Sequence, residues 1–418
     1  MEVLRIATAG SVDDGKSTLI GRLLYDTRSI ADDRLEAIDT ASKRKGLDFT
    51  DLSLLTDGLI AEREQGITID VAHIYFSTPT RKYIIADTPG HVEYTRNMIT
   101  GASNAQASIV LVDARNGVVE QTRRHLYIAS LLRMKDVIVC VNKMDLVAFD
   151  ASAFNAIRLE VVGIAEQLGI TPDALHFIPV AAKGGDNVVS VSTQTPWYKG
   201  PSLLALLETL QPGAGLGSLP VRFPVQYVIR PHQDAFHDFR GYAGKISSGR
   251  WVKGDAVVVL PSLRTATISG IYKGEQMLEE ASAGESVTLT LEEDVDVSRG
   301  NMLVKRSECP YPEVNVFTAR IAWMDEQAMQ EGRTCLLQHG AQVVKVKILA
   351  TVEVLDIHTF RKAADKTTFQ LNDIGTIRLK AAKTLFLDRY ADNPANGAFI
   401  LIDEFSNNTI AVGFVESV

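Results

Sequence analysis

The chain carries a glycine-rich segment that could hold phosphate groups. Residues 10–17 read G-S-V-D-D-G-K-S and match G-x-x-x-x-G-K-[ST], between a predicted strand and a predicted helix at 17–25. In such a turn, successive backbone N–H groups and the positive end of the helix converge on phosphate oxygens. Lys16 would reach the β- and γ-phosphates, and the Ser17 hydroxyl would ligate Mg²⁺. The residues expected to bind nucleotide here are Gly10, Asp13, Asp14, Gly15, Lys16, Ser17 and Thr18.

Two tetrapeptides follow in chain order, each directly after a predicted strand. Residues 87–90 read D-T-P-G, where Asp87 would face the Mg²⁺ and the Gly90 N–H could meet a γ-phosphate. Residues 142–145 read N-K-M-D, and Asp145 could accept hydrogen bonds from N1–H and the exocyclic amino group of guanine. Adenine offers no such pair of donors. Because ligands of α/β sheets bind outside the carboxyl ends of the strands, the three segments together predict a site for GTP and Mg²⁺, with Asn142 and Lys143 also at the nucleotide.

The elements that must position these residues alternate through the first half of the chain. Predicted helices at 121–132 and 154–168 lie among short apolar runs, so we predict a mostly parallel sheet with helices on both faces. The predicted strands are 3–9, 71–76, 83–86, 107–112, 137–141 and 177–180. Residues 29–66 depart from the alternation, because they are long, polar and charged, and we interpret them as a functional or mobile insertion.

The second half has the pattern of antiparallel β-structure. We predict a P-loop GTPase domain at 1–212, a Gly/Pro-rich linker at 213–220, and two antiparallel β-barrels at 221–307 and 308–418. The strands predicted in the first barrel are 221–229, 242–247, 255–259, 266–271 and 286–291. Those predicted in the second barrel are 314–323, 342–355, 376–379, 399–402 and 409–412.

Composition and charge exclude several classes of protein. The chain has 418 residues, a formal charge of −8 and 3 cysteines, too few for a disulfide framework or a four-ligand zinc site. No apolar run is long enough to cross a bilayer and no signal peptide is apparent, so we expect a cytoplasmic protein without a membrane partner. The acidic balance argues against a whole-surface nucleic-acid binder. We interpret His125 as a residue on the surface of its helix, and Trp197, Trp251 and Trp323 as packing residues.

These motifs resemble those of the translation-factor-like GTPases, which carry G-x-V-D-x-G-K-[ST], R-E-x-G-I-T-I, D-x-P-G-H and N-K-x-D. Here residues 63–69 read R-E-Q-G-I-T-I, and His91 follows Gly90. The resemblance implies that Thr68 is a second protein ligand of Mg²⁺ and that His91 orients the attacking water, with Val12 and Ile67 as an apolar gate. Lys16, Thr68 and His91 would then be the residues that support hydrolysis.

A closer resemblance is to the large GTPase subunits of bacterial ATP sulfurylase. Asp14 departs from the D-H-G of elongation factors, and G-S-V-D-D-G-K-S-T at 10–18 is similar to the pattern of these subunits, as are P-W-Y-K-G-P at 196–201 and D-F-R-G-Y-A-G at 238–244. The resemblance extends along essentially the whole chain. It implies a smaller partner subunit that makes adenylyl sulfate and pyrophosphate from ATP and sulfate. The chain itself has no S-G-G-x-D-S or H-x-G-H adenylyl-transfer motif.

One motif departs from the family pattern. The fifth guanine-contacting motif is S-A-[LK] in the family, and residues 181–183 here read A-A-K. The Ala182 N–H could still meet guanine O6, but Ala181 lacks the serine hydroxyl, so we expect slightly weaker guanine affinity and unchanged specificity. Two alternatives share the same motifs: an elongation-factor-like GTPase that delivers aminoacyl-tRNA, and a nucleotide-dependent scaffold without turnover.

Overall fold

The computed structural model describes residues 3–44, 50–55, 70–91, 95–211, 215–230, 239–308, 311 and 313–418. The chain divides into two compact units, residues 1–212 with 356–361, and residues 213–355 with 362–418. Among the described residues, no helix is both long enough and apolar enough to cross a membrane.

The first unit contains a six-stranded sheet with the strand order β2-β3-β1-β4-β5-β6. Its strands are β1 (Val3–Ala9), β2 (Ala72–Ser77), β3 (Lys82–Asp87), β4 (Ala107–Asp113), β5 (Asp136–Asn142) and β6 (Leu175–Pro179). Its helices are α1 (Lys16–Asp26), α2 (Asp32–Arg44), α3 (Thr95–Ala102), α4 (Glu120–Leu131), α5 (Ala151–Gln167) and α6 (Leu203–Thr209). Only β2 runs antiparallel to its neighbour, and every residue of β4 is buried, as expected of a strand covered on both faces. The predicted mostly parallel sheet is confirmed.

Part of the polar insertion forms regular secondary structure that its polar composition did not predict. Besides α2, it has a 3₁₀ turn at Leu52–Leu55, and the side chains of Ile38, Leu52 and Leu55 form a small buried cluster. The Ser42 hydroxyl joins the two elements, because it donates to the Ile38 carbonyl and accepts from the Asp51 N–H, each at 2.8 Å. The rest of the insertion, residues 45–49 and 56–66, lies outside the described residues, as do residues 67–69.

The second unit is built from two large antiparallel sheets and one small two-stranded antiparallel sheet. Its strands are β7 (Phe223–Pro224), β8 (Tyr227–Ile229), β9 (Gly241–Lys245), β10 (Arg250–Val252), β11 (Ala256–Leu260), β12 (Arg264–Lys273), β13 (Gln276–Leu278), β14 (Glu280–Ser282), β15 (Ser286–Leu291), β16 (Met302–Lys305), β17 (Val314–Trp323), β18 (Thr334–His339), β19 (Gln342–Asp356), β20 (Arg361–Lys362), β21 (Ile374–Leu385), β22 (Ala398–Ile402) and β23 (Thr409–Ser417). Within the predicted linker, Leu216–Ser218 forms a short 3₁₀ turn.

Of the two large sheets, the second closes on itself. In the first, β7 pairs with β16 at one edge, and β8, its immediate successor in the chain, pairs with β9 at the other edge. In the second, the order is β18-β22-β23-β17-β21-β19, and β19 pairs back to β18. Trp251 and Trp323 lie fully buried in the two cores, as expected of packing residues. The antiparallel second half is therefore confirmed, although six of its strands were not predicted: β10, β13, β14, β16, β18 and β20.

The second unit contains a buried charged cluster, formed by Arg222 of the first barrel and by side chains between residues 308 and 396. The Arg222 guanidinium contacts Glu308 Oε2 at 2.7 Å and Asp388 Oδ2 at 2.9 Å, and it lies 4.4 Å from the centre of the Tyr311 ring. The Asn396 amide donates to Tyr311 and Asp388 at 3.0 Å each. Because the Arg222 side chain is only 5% exposed, these partners are what make its burial tolerable.

Candidate nucleotide-binding site

The parallel sheet brings the three predicted motifs to one edge. Thr8 of β1 lies opposite Asp87 of β3, and Asp113 of β4 lies opposite Asn142 of β5, each pair at the carboxyl ends of its strands. After β1 the chain turns through Gly15, whose φ of 89° is in the left-handed region that favours glycine, and α1 begins at Lys16. The turn therefore ends on the N-terminus of a helix, as phosphate binding requires.

Lys16 and Asp87 meet in the buried interior of this edge. The Lys16 ammonium lies 3.0 Å from Asp87 Oδ1 and also donates to the Thr88 carbonyl. The Thr8 hydroxyl donates to the same Asp87 oxygen at 3.0 Å. These contacts fix the two charged side chains next to the phosphate loop.

The residues expected to hold Mg²⁺ have suitable donor atoms. The buried Asp87 carboxylate and the half-buried Ser17 hydroxyl are both oxygen donors, the ligand type that Mg²⁺ takes in proteins. The third expected ligand, Thr68, lies outside the described residues, as does Ile67.

Gly90 touches the phosphate loop so closely that no side chain fits. A Cβ built at Gly90 would lie 2.0 Å from the backbone oxygen of Gly10, so the two loops are in backbone contact. The Gly90 carbonyl in turn accepts a 2.8 Å hydrogen bond from Gln121 Nε2 of α4. His91 follows, half-buried at the same edge, and its role toward the attacking water stays a prediction.

Asn142 connects the phosphate loop to the segment after β6. Its side chain is 2% exposed, and it donates to the Asp14 carbonyl at 2.7 Å and accepts from the Ala182 N–H at 3.1 Å. A Cβ at Gly15 would lie 2.5 Å from Asn142 Nδ2, which gives Gly15 a second reason to be glycine. The Ala182 N–H expected at guanine O6 is thus engaged by Asn142, and its role toward guanine stays a prediction.

Lys143 makes a second connection to the same loop. Its ammonium donates to the Asp13 carbonyl and lies 2.9 Å from Asp113 Oδ2. Arg115 contacts Asp113 as well, through Nε at 3.0 Å and Nη2 at 2.7 Å. Burial alone would raise the pKa of Asp113, but the hydrogen bonds from Arg115 and Lys143 outweigh it and hold that pKa well below its usual range. Asp113 and Arg115 were not predicted.

The residues expected at the base have contrasting exposures. Asp145 lies exposed in a 3₁₀ turn at Met144–Val147, whereas Ala181 and Ala182 are buried. An exposed carboxylate at the end of β5 is accessible to a base edge, as the expected guanine contact requires.

The interpretation of His125 as a surface residue is wrong. Its side chain is 2% exposed on the buried face of α4, and burial, with the nearby charges of Lys16 and Arg124, lowers its pKa to about 3. Thr122, His125, Leu126 and Ala129 are all buried, at the i, i+3, i+4, i+7 spacing of a helix face. That spacing was the available signal for its burial. In the structure the His125 imidazole, which its lowered pKa keeps neutral, lies near enough to Lys16 to be influenced by its charge.

Known proteins resemble the chain over nearly its full length. Residues 1–212 match the family described as the elongation factor Tu GTP binding domain, and residues 316–416 match the GTP-eEF1A C-terminal domain-like family. Sulfate adenylyltransferase subunit 1 of Bacteroides thetaiotaomicron is 49% identical over 424 residues, covering 99% of this chain and 86% of that protein. The bifunctional enzyme CysN/CysC of Mycobacterium tuberculosis is 48% identical over 414 residues, covering 99% of this chain and 67% of that protein. A crystal structure of Sup35 complexed with GMPPNP aligns with 100% of this chain and 94% of that chain, at 24% identity and a TM-score of 0.45.

Identity near one half over almost all of the chain, together with an elongation-factor-type GTP binding domain, confirms the resemblance drawn from the motifs. The chain belongs to the sulfate adenylyltransferase subunit 1 family, the GTPase subunits of ATP sulfurylase.

Proposed function

We propose that this chain hydrolyses GTP and that the hydrolysis is coupled to adenylyl sulfate formation by a smaller catalytic subunit. The partner's reaction converts ATP and sulfate into adenylyl sulfate and pyrophosphate, and this chain converts GTP and water into GDP and phosphate. The observation that supports the division of labour is one guanine-type nucleotide site in a chain without an adenylyl-transfer motif. Since both nucleotides are cytoplasmic, we propose that the complex works in the cytoplasm.

The residues at the sheet edge have separate tasks in this proposal. Asp145 accepts from the guanine edge, and Lys16 releases its contact with Asp87 to neutralise the β- and γ-phosphates. The Gly90 N–H faces the γ-phosphate, and His91 orients the attacking water. Mg²⁺, held by Ser17, Asp87 and Thr68, would neutralise charge on the phosphate oxygens. Positioning and charge are sufficient chemistry for phosphoryl transfer, so no covalent step on the protein is needed.

Coupling has a thermodynamic reason. Adenylyl sulfate formation with release of pyrophosphate is strongly uphill, and hydrolysis of a second nucleotide could offset it. The elements that respond to a γ-phosphate would be the segments that carry Gly90 and Thr68, which are released when the phosphate leaves. The partner subunit would then bind differently to this chain before and after GTP hydrolysis.

The test is pyrophosphate release by the complex of this chain with its small subunit, measured with and without sulfate and with and without GTP. Sulfate-dependent release that rises with GTP supports coupling. Indifference to sulfate, alongside GTP hydrolysis stimulated by ribosomes, would instead favour the elongation-factor alternative. Sulfate-dependent release unaffected by GTP would contradict coupling while leaving the enzyme complex intact.

A nucleotide switch makes this test specific to the site. In Asp145→Asn, the side chain loses an acceptor for the guanine amino group and gains a donor that suits the second carbonyl of xanthine. We expect XTP, and no longer GTP, to stimulate pyrophosphate release. Glu166→Gln, an exposed change on α5, is the matched control and should retain GTP dependence. Unchanged GTP selectivity in Asp145→Asn would contradict the base assignment.

A further inference from the structure

The Asp14 carboxyl group is enclosed beneath the phosphate loop. Its residue is 5% exposed, and its Oδ2 accepts a 2.6 Å hydrogen bond from the Ser11 N–H of the same loop. A Cβ built at Gly10 would lie 3.6 Å from that oxygen and 3.1 Å from Leu111 Cβ, so the carboxyl lies close to the Gly10 backbone, which itself lies against the fully buried Leu111. The Asp14 carboxylate is therefore enclosed by protein, where it lacks the water and cations that would stabilise its charge in solvent.

Charged groups of both signs face Asp14. Asp113 at the end of β4 repels its carboxylate and Lys143 after β5 attracts it, while Arg115 and Lys143 are both already paired with Asp113. The backbone N–H groups of Ser11 and Asp113 also stabilise the negative charge. Burial outweighs these groups and raises the pKa of Asp14 to about 7.

A bound nucleotide would add several negative charges on the other side of the same loop. Gly10, Gly15 and Lys16, which bracket Asp14 in the chain, are the residues proposed to surround the phosphates. Phosphate oxygens and an ionised carboxylate would therefore face one another across a single layer of backbone, where solvent screens the repulsion poorly. Protonating the carboxyl removes that repulsion.

We propose that Asp14 takes up one proton from solvent when a guanine nucleotide binds, so that nucleotide affinity is linked to pH through this residue. The inference rests on the proposed GTP site. The covalent change is the formation of one O–H bond on the carboxylate, with water or buffer as the proton donor. Asp14 is thus a positioning residue of the loop that also titrates, and it does not touch the reacting atoms.

The sign of the pH dependence follows from linkage. With a free-state pKa of about 7 and a higher pKa in the complex, affinity is greatest below pH 7, where both states are protonated. It falls as the pH rises above 7, by at most about tenfold per pH unit for one proton. The fall ends when the pH exceeds the pKa of the complex.

The test is isothermal titration of the full chain with Mg·GDP at pH 8 in buffers of different ionisation enthalpy, which gives the number of protons taken up. We expect the wild type to take up as much as about 0.9 proton more than Asp14→Asn, since about that fraction of Asp14 is ionised at pH 8 with a pKa of about 7. The amide that replaces the carboxylate keeps an oxygen that can accept from the Ser11 N–H. Taking the difference between variants cancels the protons released by GDP itself.

Asp173→Asn is the matched control, because Asp173 is exposed in the 3₁₀ turn Pro172–Ala174 of the same unit and has no proposed contact with the nucleotide. It should preserve the wild-type proton uptake. Equal uptake by the wild type and Asp14→Asn would overturn the inference while leaving the nucleotide site intact. Absence of any binding heat for the wild type would instead contradict the GTP site.

A second measurement covers the case in which Asp14→Asn does not fold. Carboxyl carbons of ¹³C-aspartate-labelled wild-type protein can be followed by NMR across pH 5–9, with and without Mg·GDP. We expect one carboxyl to titrate near pH 7 in the free protein and to remain protonated at pH 8 in the complex. A spectrum in which no aspartate changes its titration on GDP binding would overturn the inference.

Discussion

Asn142→Ala tests whether the N-K-M-D segment holds the phosphate loop in place. Asn142 is 2% exposed and makes two hydrogen bonds, at 2.7 Å to the Asp14 carbonyl and at 3.1 Å from the Ala182 N–H. The substitution removes both and leaves a backbone acceptor and a backbone donor without a partner in the interior. It creates no clash, because alanine is smaller.

The size of the effect can be worked out from those two groups. A buried polar group left without its partner costs about 1–3 kcal/mol, so two such groups, partly rehydrated by local movement, cost about 3 kcal/mol together. If the loop is ordered only with nucleotide bound, this cost appears as weaker binding, by about 100-fold at 1.4 kcal/mol per tenfold. If the loop is equally ordered without nucleotide, the cost appears as a lower free energy of unfolding.

Both quantities can be measured on the same preparation. Displacement of a fluorescent GDP analogue gives the dissociation constant, and urea unfolding of the nucleotide-free protein gives the free energy of unfolding. Asn396→Ala is the matched control, since Asn396 is equally buried and its amide donates to Tyr311, Phe386 and Asp388 in the other unit. We expect it to lower the stability of that unit and leave GDP affinity within about twofold of the wild type.

The reasoning is refuted if Asn142→Ala loses less than about 1 kcal/mol in binding and unfolding taken together. Such a result would mean that water replaces the amide at no cost, and that the loop needs no support from β5. A loss of GDP affinity in Asn396→Ala as large as that in Asn142→Ala would show that the assay reports general destabilisation.

Two further substitutions have controls within the chain. Gly90→Ala should reduce GTP affinity and GTP hydrolysis at least tenfold, because its Cβ would lie 2.0 Å from the Gly10 carbonyl oxygen. Gly163→Ala in α5 is the control and should leave both quantities unchanged, because nothing lies within 4 Å of a Cβ built there. Equal effects in the two variants would contradict the contact between Gly90 and Gly10. Arg222→Ala should lower the free energy of unfolding of the second unit by about 3–5 kcal/mol, since it leaves two carboxylates uncompensated. Arg320→Ala, whose partners are 31% and 36% exposed, should cost about 1 kcal/mol or less by urea unfolding, and a comparable loss in both variants would contradict the argument.

The sequence was sufficient to predict the sheet and the edge at which the site lies. Apolar runs such as that of β4 are long and unmixed because parallel strands are buried on both faces, so their ends could be located to within a residue or two. Helix α2 was missed because its sequence is mostly polar, and it is held by the small cluster around Ile38 and by the Ser42 hydroxyl. Local patterns contain no information on such contacts.

The predicted site residues that the structure describes were brought together, but the links between them were not foreseeable. Asn142 and Asp14 are 128 residues apart, and their hydrogen bond depends on how the ends of β1 and β5 are placed by the sheet. His125 was misread because it directly follows Arg123 and Arg124 in the sequence, and charged neighbours indicate a surface position. Its burial can be predicted only from the helical spacing of all four buried residues on that face, Thr122, His125, Leu126 and Ala129.

The first two residues of the N-K-M-D tetrapeptide and its last residue have different surroundings in the structure. Asn142 and Lys143 both donate to backbone carbonyls of the phosphate loop, so both side chains are engaged by that loop. Asp145 lies exposed beyond them in a separate 3₁₀ turn. We therefore expect Asp145→Asn to alter base preference without disturbing the phosphate loop, whereas Asn142→Ala should disturb the phosphate loop and the segment of Ala182 together. For that reason Asp145→Asn is the cleaner probe of which nucleotide drives the complex.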